Sequence, residues 1–170
     1  LRFFAGKMLE TSNDGNYFLH SSGANGQHDY FMDGVFLGRS ERDGFFSHQF
    51  METEGNLKAY TILGRSDDWM AALNFNAPMP GKIPFRLFAD FVMVPSAPGL
   101  DQNLLWDAGL HFTLVRNIVD VYVPILVSKD IKSNFYLNNS DLDAPTSEKT
   151  DPEKWTRIWR MVRFTFNLQR

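Results

Sequence analysis

Histidines and carboxylates are the side chains through which this 170-residue chain could hold a metal or carry acid–base chemistry. The histidines are His20, His28, His48 and His111, and no two of them are four residues apart, the spacing that lets one helix face present a pair to zinc. The segment nearest to the zinc-peptidase motif H-E-x-x-H is His-Gln-Phe-Met-Glu at residues 48–52, which lacks the glutamate and the second histidine. We therefore predict no catalytic residue, no metal ligand and no cofactor in this chain.

Charged side chains form a second pattern, because they recur on the polar face of segments that alternate like strands. Six residues share this placement: Arg86, Asp90, Asp107, His111, Asp120 and Arg163. If such a face is enclosed, an isolated charge on it is very costly, so each member needs an opposite charge or a hydrogen-bond partner. We predict that these six residues form an interior charge network.

The element expected to organise the others is a β-hairpin at residues 104–128, with its turn at Arg116 and Asn117. One register sorts both halves into a continuous apolar face and a polar or small one, whereas a shift by one residue would mix the two faces. On the apolar face that register pairs Leu114 with Val119, Phe112 with Val121, Leu110 with Val123, Ala108 with Ile125 and Trp106 with Val127. On the polar face it pairs Thr113 with Asp120 and His111 with Tyr122.

Further alternating segments, separated by turn-forming residues, run along the whole chain. Besides the hairpin, we predict strands at residues 1–9, 17–20, 28–37, 45–53, 57–63, 69–77, 83–94 and 158–168. Residues 129–154 are mostly polar, and for them we predict a long excursion or a short helix near Ile131 to Leu137. No segment keeps a helical period for more than two turns. The pattern predicts one all-β domain over residues 1–170, an antiparallel meander closing into a small barrel of about eight strands.

Two architectures fit this alternation, and they differ in which face meets water. In a soluble barrel or sandwich the apolar face forms the core, whereas in an outer-membrane barrel it meets lipid and the polar face lines the lumen. Charges of both signs near the middle of the strands suit a narrow lumen, where they compensate one another. The solvated polar face of a soluble sheet also carries charges of both signs. Tryptophans near strand ends suit the aromatic girdle of a membrane barrel: Trp69, Trp106, Trp155 and Trp159.

Composition narrows the classes of function. The net charge of −3, with lysine and arginine scattered along the chain, gives no basis for nucleic-acid binding. The absence of cysteine excludes disulfides and thiolate metal sites. No apolar run approaches the ~20 residues of a membrane-spanning helix. The sequence opens directly in a strand at Leu1 without an initiator methionine, so we expect it to belong to a longer protein.

A turn sequence occurs twice, as Leu-Gly-Arg-Ser-acid at residues 37–41 and again at residues 63–67. For the second copy we predict a simple turn, in which glycine supplies an unusual φ while serine and the acid accept local backbone hydrogen bonds. For the first copy a more specific hypothesis is that its arginine reaches an acid inside the barrel and so fixes the turn. We call this arrangement the turn lock. The residues of this lock are Gly38, Arg39, Ser40 and Glu41.

Several short motifs carry a resemblance to a known family. They are GRSERDGFFSHQ at residues 38–49, EGNLK at 54–58, DAGL at 107–110, VYVPI at 121–125 and VRFTF at 162–166. Together they resemble the C-terminal region of large aminopeptidase-N-like (gluzincin) zinc metallopeptidases from certain Gram-negative bacteria. The resemblance covers most of the chain, but the zinc site of that family lies in an upstream domain, so no catalytic residue is carried over.

The resemblance implies a non-catalytic C-terminal β-barrel domain that anchors or scaffolds a zinc metallopeptidase in the cell envelope, at the outer membrane or in the periplasm. Its implied partners are the upstream peptidase domain, which alone would hold zinc, and outer-membrane lipid. Two alternatives remain open: an independent small outer-membrane barrel of adhesin or structural type, and a soluble lipocalin-like barrel that binds an apolar ligand. Dependence on detergent separates the soluble alternative from the other two.

Overall fold

The described residues of the computed structural model form one antiparallel sheet with few helical residues. They are residues 1–9, 18–24, 45–79, 85–95, 100–116, 118–133 and 161–166. The strands are β1 (Arg2–Lys7), β2 (Trp69–Pro78), β3 (Phe85–Met93), β4 (Leu104–Val115), β5 (Val119–Val127) and β6 (Arg163–Phe166). Each strand pairs with the next along the chain, in the order β1 to β6, and the sheet curls into a half-barrel. The all-β meander is therefore confirmed, with six strands in the described part of the chain.

The predicted hairpin is β4 and β5, and the centre of its register is confirmed. Leu110 pairs with Val123, His111 with Tyr122, Phe112 with Val121 and Thr113 with Asp120. These pairs follow from the two-residue period of a strand, which leaves one register that keeps the apolar side chains together.

The register predicted for both ends of the hairpin is wrong, because the ladder is interrupted twice. Near the turn Val115, rather than Leu114, pairs with Val119. At the other end Ala108 pairs with Leu126 instead of Ile125, and Val127 pairs with Asp107 instead of Trp106.

The second interruption begins where Gly109 lies opposite Pro124. Proline has no N–H to donate, so a ladder cannot continue regularly through it, and an extra residue in one strand shifts all that follow. Ile125 is this extra residue. Val127 consequently turns to the buried face of the sheet, where it packs against the hydrophobic core.

Replacing Gly109 by alanine is expected to lower the free energy of unfolding by about 1–3 kcal/mol, the usual cost of overpacking a tight site. A Cβ at residue 109 would overlap the Val123 carbonyl oxygen and lie 2.8 Å from its carbon, and these backbone atoms cannot rotate away. The matched control is Gly6→Ala in β1, where the new methyl group meets only the ring of Phe4. Urea unfolding of both variants checks this prediction, and equal stabilities would contradict it.

Two strand predictions between β1 and β2 are wrong. Residues 45–53 begin with a 3₁₀ turn (Phe45–His48) and continue as irregular backbone, and residues 57–63 are irregular as well. We call residues 49–66 the inner segment, because they run across one face of the sheet. At its start Phe50 N–H donates to Phe164 of β6, and further along, the segment pairs with residues 19–23: Met51 N–H donates to Gly23, Gly23 N–H to Leu57 and Leu57 N–H to Ser21.

The inner segment divides the sheet into a covered inner face and an outer face that is open except where Phe45 packs on the buried Phe164. One end of the inner face is a hydrophobic core formed by Leu57, Ala59, Met70, Ala72, Val92, Val94, Leu105 and Ile131. The rest of the inner face is polar and holds the site described next. None of the helical residues that the structure describes belongs to a helix of the length and apolarity needed to cross a bilayer.

Candidate functional site

Two aspartates lie side by side at the centre of the inner face. Asp90 of β3 and Asp107 of β4 are direct cross-strand partners, and both are fully buried. The inner segment brings Lys58 over them, and its ammonium nitrogen lies 2.9 Å from Oδ2 of Asp90. The two side chains form a buried ion pair, 7% and 0% exposed.

Three aromatic rings surround the Lys58 ammonium group. Its nitrogen is 5.3 Å from the ring centre of Phe50, 5.6 Å from that of Phe88 and 5.5 Å from that of Tyr122. Cations within about 6 Å of a ring face are attracted by its quadrupole, and more strongly when water is excluded. The same ammonium group also donates to the Asn56 carbonyl at 3.0 Å, so this buried cation is well compensated.

One lysine cannot neutralise two ionised carboxylates in a buried site. Burial raises the pKa of both aspartates, and the neighbouring Asp90 charge raises that of Asp107 further, while Lys58 opposes both shifts. Oδ2 of Asp107 accepts the backbone N–H of Ala59 at 2.5 Å, and Oδ1 of Asp90 accepts the Asn74 amide at 2.9 Å. Because like charges this close cannot both persist without water, we infer that the two aspartates share one proton.

The polar contacts continue from this pair to the edge strand β1. The Asn74 amide also donates to the Gly55 carbonyl, and its own oxygen accepts a hydrogen bond from Arg2 at 3.0 Å. Arg2 reaches further, to the carbonyls of Thr53 and Glu54 at 2.8 and 3.1 Å. Side chains of β1, β2 and β4 therefore hold the backbone of the inner segment against the sheet, and Asp90 of β3 holds the Lys58 side chain.

A second polar group lies beside the first on β4 and β5. Nε2 of His111 is 3.1 Å from Oδ1 of Asp120, and the same carboxylate oxygen accepts the Thr113 hydroxyl at 2.7 Å. Nδ1 of His111 is 2.9 Å from the Asn76 amide nitrogen, which donates to it and leaves the Nε2 proton for Asp120. The imidazole ring stacks on Tyr122 with ring centres 4.6 Å apart.

A third group joins β6 to the 3₁₀ turn. The Arg163 guanidinium lies 2.8 Å from Nδ1 of His48, and it donates to the Val162 carbonyl at 3.0 Å. Burial lowers the pKa of His48; the nearby Val162 carbonyl opposes this shift, and the Arg163 charge adds to it. One Nδ1 atom cannot accept from Arg163 and donate to Val162 at once, so we assign a neutral His48 that accepts.

The structure places five of the six residues of the predicted charge network in three separate groups. Asp90 and Asp107 form the central pair, His111 and Asp120 form the second group, and Arg163 lies apart near His48. Arg86, by contrast, is exposed near the start of β3.

In the repeated turn, Gly64 has φ of 74° and the Ser66 hydroxyl accepts the Asp68 N–H, as predicted for the simple turn. The turn lock of residues 38–41 lies outside the described residues.

Lys58, Asn74 and Arg2 are the site residues that sequence reasoning missed. Asn74 and Arg2 sit on the polar faces of predicted strands, so the alternation that selected Asp90 could have selected them too. The alternation could not select Lys58 in this way, because its segment forms irregular backbone. Its partners are also distant from it in the sequence.

The arrangement has the chemistry of a docking site for the inner segment. Its charged groups contact one another and backbone groups of the inner segment. Within the described ranges no three histidine or acidic side chains converge as a metal site would require.

We predict that the metal-free chain takes up no stoichiometric zinc and has no peptidase activity. Elemental analysis after zinc incubation checks this, and zinc lost on replacing His48 or His111 would contradict it.

Comparison of the chain with protein-family models, with curated proteins and with solved structures finds no match.

Proposed function

We propose that this chain is a non-catalytic β-barrel domain whose outer face contacts outer-membrane lipid, and that it anchors a zinc metallopeptidase. The observation that carries the membrane assignment is the chemistry of the outer face, which bears no charged residue along the described middle of the strands. The link to a peptidase is supported by the motif resemblance alone, and the zinc would be held by the upstream domain.

The outer face is built from cross-strand rows of apolar side chains. The rows are Phe3, Leu73, Phe91 and Trp106; Phe75, Ala89, Ala108 and Leu126; Ala77, Leu87, Leu110 and Val123; and Phe85, Phe112, Val121 and Phe164. Many of the large side chains on this face are exposed. Soluble proteins rarely expose continuous apolar patches beyond a few hundred Å², and a larger patch marks a lipid or protein contact.

The height of this apolar face along β3 approaches, but does not reach, the apolar band of outer-membrane barrels. At about 3.3 Å per residue, β3 is about 26 Å long, and a tilt of about 40° projects this to about 20 Å. The apolar band of outer-membrane barrels is about 25 Å tall. Aromatic pairs mark the end of the face near the β4–β5 turn, where Phe85 lies 4.9 Å from Phe112 and Phe45 lies 4.5 Å from Phe164, between ring centres.

The buried inner face favours lipid over the soluble lipocalin-like alternative. A barrel that binds an apolar ligand in water needs an apolar interior, whereas the centre of this inner face carries Asp90, Asp107 and Lys58. We propose that a closed barrel of about eight strands completes the half-barrel, because lipid leaves no water to satisfy an open sheet edge. An independent small outer-membrane barrel has the same faces, so only the peptidase link separates it from this proposal.

Refolding in lipid tests the membrane assignment. The chain, diluted from urea, is expected to fold and float with phospholipid vesicles, and to aggregate when diluted into buffer alone. A folded monomer in buffer without lipid or detergent would overturn the assignment.

Fractionation of cells tests the anchoring role. In cells that express the parent protein, peptidase activity is expected in the outer-membrane fraction, and removal of this chain should release it. Membrane insertion without associated peptidase activity would favour the independent barrel.

A further inference from the structure

We propose that Lys58 and Asp90 condense to a covalent amide, which ties the inner segment to β3 through a bond between the two side chains. This inference goes beyond the proposed function and does not depend on whether lipid covers the outer face. Its evidence is the contact between the two side chains, their burial and the second carboxyl group that Asp107 places beside them.

The two reacting groups are already in contact. Nζ of Lys58 lies 2.9 Å from Oδ2 of Asp90. The carbon that an amine attacks is Cγ, which is at most one C–O bond of about 1.2 Å further away. Groups held in such contact reach effective concentrations of about 10⁵–10⁸ M, which favour condensation over a separate amine and acid.

Burial removes the obstacle that keeps exposed lysines and aspartates from reacting. In water both groups are charged, and an ammonium group has no lone pair with which to attack. Here the two side chains are 7% and 0% exposed, and the rings of Phe50, Phe88 and Tyr122 surround the ammonium group. Passing one proton from Nζ to Oδ2 therefore costs less than in water, and it yields a free amine and a neutral acid.

Asn74 and Asp107 supply the remaining chemistry. Nζ forms a bond to Cγ of Asp90, and the electron pair of the C=O bond moves to Oδ1, where the Asn74 amide donates at 2.9 Å. Burial and the Asp90 charge raise the pKa of Asp107, so Asp107 carries the shared proton. It gives this proton to Oδ2, which leaves as water with the electron pair of the broken C–O bond.

Asp107 then takes a second proton from Nζ and ends as it began. No donor among the described residues occupies its Oδ1, so this atom is open to the proton. The products are one amide and one water molecule, and no oxidant or other reactant is needed. Both charges of the buried ion pair disappear, which removes the cost of keeping them from water.

Mass spectrometry of the native chain tests the bond. Chain prepared unfolded in urea is expected to have the mass of its sequence, and to lose the mass of one water molecule with time after it folds, in vesicles or in buffer. Trypsin should then release one peptide that joins residues 43–65 to residues 87–116, because cleavage after a linked Lys58 is blocked. The exposed pair of Lys129 and Asp101, 3.0 Å apart, is the internal control and should stay unlinked.

Variants identify the reacting groups. Lys58→Met should keep its full mass, whereas Lys129→Met should link as the native chain does. Asp107→Asn has nearly the same shape but cannot carry the proton, so it should link about 10²–10⁴-fold more slowly. Linking of this variant at the native rate would overturn the role of Asp107.

The native chain decides the proposal even if a variant fails to fold. An unchanged mass after prolonged incubation of the folded chain, with folding verified by circular dichroism, would overturn it. A loss of water without the joined peptide would overturn it as well, because cyclisation of a single aspartate loses the same mass.

Discussion

Replacing Lys58 by methionine is expected to lower the free energy of unfolding by about 3–5 kcal/mol, as happens when one partner of a buried ion pair is removed. Methionine keeps the length of the side chain and its contact with the three rings. Among the described residues, Lys58 carries the only positive charge that lies against Asp90, and the substitution removes it. The Asp90 side chain is itself 0% exposed. The two aspartates would then have to bury an uncompensated charge or take up a second proton on folding.

The matched control is Lys129→Met. Lys129 and Asp101 form an ion pair of nearly the same length, 3.0 Å against 2.9 Å, but their side chains are 80% and 70% exposed. Water and salt screen such a pair, so the control should show no measurable change in stability. Urea unfolding in lipid or detergent compares the two variants, and equal losses would show that burial of the pair is unimportant.

A double variant shows whether the loss comes from charge. Adding Asp90→Asn to Lys58→Met leaves one carboxyl group, which can stay protonated, and so removes the stranded charge. The double variant should therefore recover part of the stability lost in Lys58→Met. A purely additive loss would instead assign the effect of Lys58 to its packing against the rings.

Replacing Leu126 by arginine is expected to cost about 2–4 kcal/mol in lipid, the range for arginine at the middle of a barrel's lipid face. Leu126 lies in the central row of the outer face, opposite Ala108. The control is Leu114→Arg near the β4–β5 turn, where the same change should cost about 0–1 kcal/mol because the site is near the membrane surface. Both leucines are largely exposed in the isolated chain, 59% and 67%, so burial within the protein does not explain a difference.

Unfolding from vesicles measures both variants. A dependence on depth would support lipid as the occupant of the outer face. If water covers this face, both changes should stay within about 0.5 kcal/mol, as is usual for surface positions. Near-neutral results at both positions would therefore contradict the proposed membrane contact.

The sequence by itself determined the places of β1 to β6 and the centre of the hairpin, although it also predicted strands at residues 45–53 and 57–63 that do not form. The alternation in β4 and β5 is local, and only one register gathers Leu110, Phe112, Val121 and Val123 on one face, so no tertiary information was needed. The same alternation placed Asp90 and Asp107 on the polar face of their strands. It could not say whether that face was wet, because the period of a strand is the same in a soluble sheet and in a membrane barrel.

Only the tertiary structure decided what covers the inner face. The inner segment has strand-forming residues but runs across the inner face without a ladder, and its irregular backbone pairs with residues 19–23. This crossing brings Lys58 onto Asp90, a contact between distant parts of the chain that no local pattern encodes. The interruption at Ile125 has the same origin, because it requires Pro124 and Gly109 to meet across two strands. Local periodicity sets which side chains share a face, whereas burial depends on the distant segments that fold over that face.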